Sequence, residues 1–372
     1  MTENDFYWYW FANISGIGAR TQKKLLEYFI HPSNVYNAPE CEVKSLLTKK
    51  QWNGFSVSKN QKKIEASVQR MAKRGIQFFH RESPEYPERL AQLYETPNLL
   101  YYIGRLPDFS KPILAIVGSR RATIYGRNMA REFAARLAES GIQIVSGMAA
   151  GVDAAGHMGA LDADGYTLGV LGGGIDTIYP VENFNLYQKV YQKGGVLSEY
   201  NMGISPQRGM FPMRNRIISG LSDGILVTEA GERSGSLITA DQGLDQGKDI
   251  FALPGRITDN MSRGCNDLIS QGAILVRSPK DIIDNIIKEE KIGNKKKNMG
   301  KSARGFFDEQ KFFCENKKEE SIYALLDEIH PMSFENLLEN SGFSASELQH
   351  ILMKFELKNI IYQIEQNVYL RK

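Results

Sequence analysis

The spacing of apolar residues divides the chain into differently patterned stretches. Residues 1–75 show no strand-like alternation, and in NISGIGARTQKKLLEYF the residues Leu25, Leu26 and Phe29 recur at helical spacing behind Gly16-Ile17-Gly18. Two helices joined by a glycine turn are expected there, either as plain packed helices or as a helix-hairpin-helix whose turn approaches a nucleic-acid phosphate. From 76 to 287 short apolar runs alternate with helical periodicity. ILAIVG, IQIVSG, YTLGVLGG, VLSEY, GILVTEA, DIFALPG and AILVRS read as strands, with GVDAAGHMGALDA, NFNLYQKVYQKG, RNRIISGLSD, SGSLITADQGLDQGK and GCNDLISQG as intervening helices. That order predicts an α/β domain around a mainly parallel sheet. Its first helix is the clearest, since Ala130, Phe133, Ala134, Leu137 and Ala138 fall on one face and Gly141 supplies the stop.

Residues 288–320 are lysine-rich with little periodicity and read as a flexible basic linker. Beyond them Ile322, Leu325, Leu326 and Ile329 make one helix face, and Phe334, Leu337 and Leu338 a second. A capping box, Ser344-x-x-Glu347, opens a third helix with Leu348, Ile351, Leu352 and Phe355 inward. IIYQIEQNVYLRK then reads as a hairpin, and three helices with a hairpin in residues 321–372 suggest a winged helix.

Length and composition narrow the class. The chain of 372 residues is 42% apolar and 24% charged, ordinary for a globular protein of two or three domains. Cys41, Cys265 and Cys314 form no C-x-x-C pair and the five histidines no ligand spacing, so neither a disulfide framework nor a metal site is expected. The acidic, aromatic start MTENDFYWYW is unlike a signal peptide, and no apolar run approaches the roughly 18 residues of a membrane span. A reducing, cytoplasmic location without membrane contact is expected. The net charge of +3 hides an asymmetry: Lys and Arg exceed Asp and Glu by six in 1–75 and by three in 288–320, and fall short by three in both 76–287 and 321–372. This permits a nucleic-acid partner without requiring one.

Open parallel sheets bind ligands off the carboxyl ends of their strands. Those ends carry Gly118-Ser119-Arg120-Arg121, Ser146 to Gly151, and Gly172-Gly173-Gly174, with PQRGMFPMRNR and GERSGSLITA later. No G-x-G-x-x-G follows the first strand, so a dinucleotide is not indicated. Arg120, Arg121, Arg208, Arg214, Arg216 and Arg233 gather on one edge of a slightly acidic domain, as expected of a site for phosphate groups. Structural alternatives stand beside this reading. Ser234-Gly235-Ser236 also suits a plain helix cap, the three glycines a packing device, and Asn215 a loop brace. Asp153 and Glu229 are expected to pair with arginine rather than to act as acid and base. Phe211 precedes Pro212, which predicts extended backbone at 211, and an aromatic there suits either an exposed platform or the core.

Taken together, AIVGSRRAT, IVSGMAAGVDAAGHMGAL, GGGIDTIYPVEN, FPMRNRIISGLSDGILVTEAGERSGSLITADQGLDQGKDIFALPG and RGCNDLISQGAILV resemble the DprA, or Smf, family of DNA-processing proteins of natural transformation, in register over roughly 80–280. The amino-terminal segment resembles that family's SAM-like domain and the last 50 residues its winged helix. The resemblance implies an extended Rossmann-like domain, without cofactor, metal or catalytic residue. Such a domain would bind and protect incoming single-stranded DNA, form homodimers and load the RecA recombinase. Carried over, the DNA-binding set is Gly118, Ser119 and Arg120 with Arg121 beside them, Gly147, Arg214 and Asn215 with Arg216, and Ser234, Gly235 and Ser236. Arg208 stands where the family has a basic DNA contact, and Phe211 where an aromatic meets a base. RGMF thus supplies a cation and a stacking ring within one short segment, the combination a single-strand binder needs.

Two rival readings differ in class. Phosphoribohydrolases acting on nucleoside monophosphates share this Rossmann branch but carry P-G-G-x-G-T-x-x-E, absent from TEAGERSGSLITA. A sequence-specific transcription factor is disfavoured by the acidic balance of 321–372, since duplex binding rests on phosphate neutralisation.

Overall fold

The computed structural model describes residues 1–292, 317–326, 332–357, 360–365 and 367–371. Cys314, Ile329 and the span 293–316 of the expected linker lie outside the described residues. Two compact units are present, Met1–Lys296 and Lys297–Lys372.

The first unit opens with helices α1 (Glu3–Ala12), α2 (Ala19–Phe29), α3 (Pro32–Asn37), α4 (Glu40–Leu46), α5 (Lys49–Ser56) and α6 (Gln61–Ala72). Thr2 and Asp5 close a capping box on α1, and Thr48 and Gln51 close another on α5. Helix α1 is apolar on every side because it is enclosed: Trp8, Tyr9, Trp10 and Phe11 are all buried. Trp10 packs on Tyr36 and Phe55, and Trp8 stacks on His80 at 5.5 Å between ring centres. The two glycines of the expected turn are exposed, Gly16 at φ +78°, while Ile17 between them is buried.

The remaining elements of this unit alternate. They are β1 (Gln77–His80), α7 (Glu88–Ala91), β2 (Leu99–Gly104), β3 (Ile113–Val117), α8 (Ile124–Glu139), β4 (Gln143–Ser146), α9 (Val152–Asp162), β5 (Thr167–Gly174), α10 (Phe184–Lys193), β6 (Gly195–Tyr200), α11 (Met210–Leu221), β7 (Gly224–Val227), α12 (Gly235–Asp245), β8 (Asp249–Ala252), α13 (Arg263–Ser270), β9 (Ile274–Leu275) and α14 (Pro279–Ile292). The nine-stranded sheet runs β1-β2-β6-β5-β4-β3-β7-β8-β9. Strands β3 to β9 run parallel to one another, and β2, antiparallel to β6, forms with β1 an antiparallel edge that the periodicity did not single out. Side chains alternate between faces, so Leu114 and Ile116 pack with α8, α9 and α14, while Ala115 and Val117 pack with α11, α12 and α13. A third apolar cluster joins α1, α9 and α10 to Leu99, Tyr101, Leu171 and Val196 of the sheet, so the opening helices and the strands share one core.

The second unit contains α15 (Lys317–Leu325), β10 (Met332–Ser333), α16 (Phe334–Ser341), α17 (Ala345–Leu357), β11 (Ile361–Glu365) and β12 (Val368–Arg371). Its strands form an antiparallel sheet in the order β10-β12-β11. Ile322, Leu337, Leu348, Ile351, Leu352 and Phe355 make its core, and Ser344 and Glu347 close the expected capping box. The expected linker therefore begins inside α14 and ends inside α15.

Candidate nucleic-acid interface

The chain leaves β3 toward β4 on one side and returns after β6 to place β7 on the other, so the order of strands reverses between β3 and β7. A crevice at such a reversal is the general ligand position of open α/β sheets. An open cavity of about 600 Å³ lies there, lined by Gly118, Ser119, Arg120 and Arg121 after β3 and by Arg233, Ser234, Gly235 and Ser236 after β7. Phe211, Arg214 and Asn215 of α11 complete it, with Asp153 of α9 at its base.

Each loop is fixed by its own hydrogen bonds. The Ser119 amide donates to the Glu229 carbonyl at 2.8 Å, and the Arg121 amide donates to Ser119 Oγ at 3.0 Å, which projects Arg120 and Arg121 into solvent. Glu229 accepts from the Thr123 amide and hydroxyl, both at 2.7 Å. It therefore anchors the start of α8 and pairs with no arginine among the described residues, contrary to expectation, because the β7 loop directs it at the amide donors of that turn. Ser234 Oγ accepts from the Ser236 amide and caps α12, whose amino terminus faces the cavity. Helix dipole and free amide donors both favour an anion at that point.

Arg214 is buried and structural in its contacts. Its Nη1 donates to the carbonyls of Gly147 and Val170, bridging the end of β4 and the middle of β5, and its Nε donates to Asn215 Oδ1. Gly147 makes this possible: a Cβ there would stand 2.1 Å from Arg214 Nη1. Asp153 accepts from the amides of Gly147 and Ala149, and burial raises its carboxyl above the ordinary value against the pull of Arg214 and those two amides. Arg214 and Asn215 thus form the floor, and Gly147 lies beneath it rather than in the lining.

Arg216, two residues further along α11, points elsewhere, because positions i and i+2 of a helix do not share a face. It is buried and pairs with Glu199 at 2.6 Å, outside the cavity. Arg208 is exposed in the turn before α11 and likewise does not line the cavity. Arg120, Arg121, Arg208 and Arg233 have no ion-pair partner among the described residues.

The extended backbone expected at Phe211 is not found. Phe211 and Pro212 lie in the first turn of α11, where proline lacks only an amide that would be unpaired anyway. The Phe211 ring is half-buried beneath the Arg120 guanidinium, whose central carbon is 4.9 Å from the ring centre. Gly172 admits the ring, since a Cβ on it would come within 2.8 Å of Phe211 Cδ1. Tyr179 is the aromatic neighbour of this ring, 5.8 Å from Phe211 between ring centres and inclined by 37°. Sequence reasoning passed over Tyr179, whose one signal was an aromatic five residues beyond Gly174, the last of the glycine-rich strand end. It also left Arg233 outside the DNA-binding set, although it adjoins Ser234 in the lining.

The sequence model of the family described as DNA recombination-mediator protein A matches residues 77–287, more than half of the chain. Protein Smf of Synechocystis sp. is 34% identical over 286 residues, which cover 75% of this chain and 72% of the relative. The X-ray structure of DNA processing protein A from Streptococcus pneumoniae superposes with a TM-score of 0.67 at 34% identity, covering 77% of this chain and 98% of that one. That of DNA processing protein A from Helicobacter pylori, solved for insight into its single-stranded DNA binding mode, gives 0.52 at 32% identity over 57% of this chain and 97% of that one. The matched segment holds the sheet and every loop that lines the crevice, and on these matches the chain belongs to the DNA recombination-mediator protein A family, the DprA/Smf proteins.

Proposed function

We propose that this protein binds single-stranded DNA in the crevice between β3 and β7 and delivers the strand to the RecA recombinase during transformation and recombination. The observation that carries the reading is the junction of unpaired arginines with an accessible ring: Arg120 over Phe211, with Arg121 and Arg233 beside the capped start of α12. Cations and an amide-bearing helix end take the phosphates, and the ring, uncovered as the exposed Arg120 turns to a phosphate, takes a base without regard to sequence. The Helicobacter pylori relative, named for its single-stranded DNA binding mode, supports the same ligand class.

The protein acts here by binding and not by bond cleavage. Both carboxylates near the crevice, Asp153 and Glu229, are engaged by backbone amides. The working form is a cytoplasmic homodimer with a SAM-like amino-terminal module and a carboxyl-terminal winged helix. Binding of one oligonucleotide in single-stranded and duplex form at two salt concentrations tests the core of the reading, which requires clear preference for the single strand. RecA filament growth on a coated strand, with and without the protein, tests the delivery step, and an unchanged rate would remove it.

A further inference from the structure

Beside the crevice runs a ledge of exposed rings for which the fold has no evident use. Tyr179 is 48% exposed, and on the turn that follows Val181 is 71% and Phe184 49% exposed. Isolated exposed apolar residues are commonplace, but these are held in place. The backbone of Tyr179 is clamped by the buried Tyr187 hydroxyl, which accepts from the Tyr179 amide at 3.3 Å and donates to its carbonyl at 3.1 Å. Asn183 ties the same turn to the Met148 carbonyl at 2.9 Å. The main chain does the anchoring, which leaves the Tyr179 ring as a presented surface.

That surface is continuous with the crevice. Phe211 adjoins both Arg120 and Tyr179, the cation 4.9 Å from its centre and the two rings 5.8 Å apart and inclined by 37°. From this geometry we infer that Tyr179 is a second stacking station, which receives the base adjoining the one on Phe211 as the strand leaves the crevice, with Phe184 extending the ledge outward. The inference rests on the single-strand reading above and adds a reason for selectivity. A base can leave its neighbours to lie on Tyr179 only in an unpaired strand, because a paired base is held in its own stack.

The test uses the full chain and an oligothymidylate carrying a single 2-aminopurine moved along its length. In the unmodified protein one position next to the Phe211-stacked base should show quenched fluorescence. Tyr179→Ala should relieve that quenching and weaken binding by about tenfold, as expected for loss of one stacked base. Tyr179→Leu, which keeps apolar bulk without the aromatic ring, should do the same, and Tyr179→Phe should retain both affinity and quenching. Wild-type affinity and quenching in a folded Tyr179→Ala or Tyr179→Leu protein would overturn the inference while leaving the crevice reading intact. Failure of the unmodified protein to bind the oligonucleotide would overturn both.

Discussion

Arg120 lies across the face of Phe211, with the guanidinium carbon 4.9 Å from the ring centre and solvent on its other side. The pair is preassembled by two unrelated loops, the turn after β3 and the start of α11. Each partner makes a different prediction. Arg120→Ala should lower the slope of log affinity against log salt by about 0.7, the value of one phosphate contact on a single strand. Phe211→Ala should cost about 1–3 kcal/mol of binding. Its half-buried ring should also lower stability, by less than the roughly 3–5 kcal/mol of a fully buried phenylalanine. Salt titrations and melting curves on the same proteins check both.

Gly172 supplies a second route to the same outcome. A Cβ at this position meets Phe211 and not the ligand, so Gly172→Ala should displace the ring and lower single-strand affinity toward that of Phe211→Ala. The crowding should cost about 1–3 kcal/mol of stability. Affinity equal to wild type would show that the ring has no part in binding.

The arginines of the crevice should separate into two classes when replaced. Arg214→Ala strips hydrogen bonds from two carbonyls and leaves Asp153 buried without its cation, and unfolding stability should fall by about 3 kcal/mol or more. Arg121→Ala, at an exposed position, should change stability by no more than about 0.5 kcal/mol while weakening DNA binding. Denaturant melts alongside binding curves distinguish the classes.

Acidification should destabilise the first unit through its buried histidines. Burial lowers the pKa of His80, against the opposing pull of Asp5, and drives that of His157 down to about 3. The Thr167 hydroxyl gives its hydrogen to the Ile144 carbonyl, so His157 Nδ1 is the donor to Thr167 Oγ1, and the buried Nε2 has no partner among the described residues to stabilise a second proton. The unfolded chain takes up protons below about pH 6.5 that the folded chain refuses. Stability is therefore unaffected by these groups above that pH and falls as the pH drops below it. The slope should reach up to about 1.4 kcal/mol per pH unit for each histidine. Melts between pH 7 and 5 should show the fall, and His157→Gln should flatten it.

Local signals were the readable ones. The strand runs, the α8 face and the Ser344–Glu347 box depend on a few neighbouring residues, and the structure reproduces them. The crevice was legible for a related reason, since strand ends in a parallel sheet converge whatever the intervening sequence. Direction was not legible. Arg214 and Arg216 look alike in the sequence, yet the helical turn between them sends one under the crevice and the other to Glu199. Pro212 was misleading because the restriction it places on Phe211 is overridden in a first helical turn. Tyr179 carries no periodic signal at all, and only the fold brings it to Phe211.

The shared core of the opening helices and the sheet bears on how this protein can be dissected. The family match begins at residue 77, which invites cutting the chain there. A fragment so trimmed would lose Trp8 from His80 and Tyr9 from Tyr101, and would bare the apolar flank formed by Leu99, Leu186 and Val190. Association of such a fragment is therefore informative about the native assembly only when the full chain, with that flank covered, shows the same state. The boundary of the family match at residue 77 is thus not a boundary of the hydrophobic core.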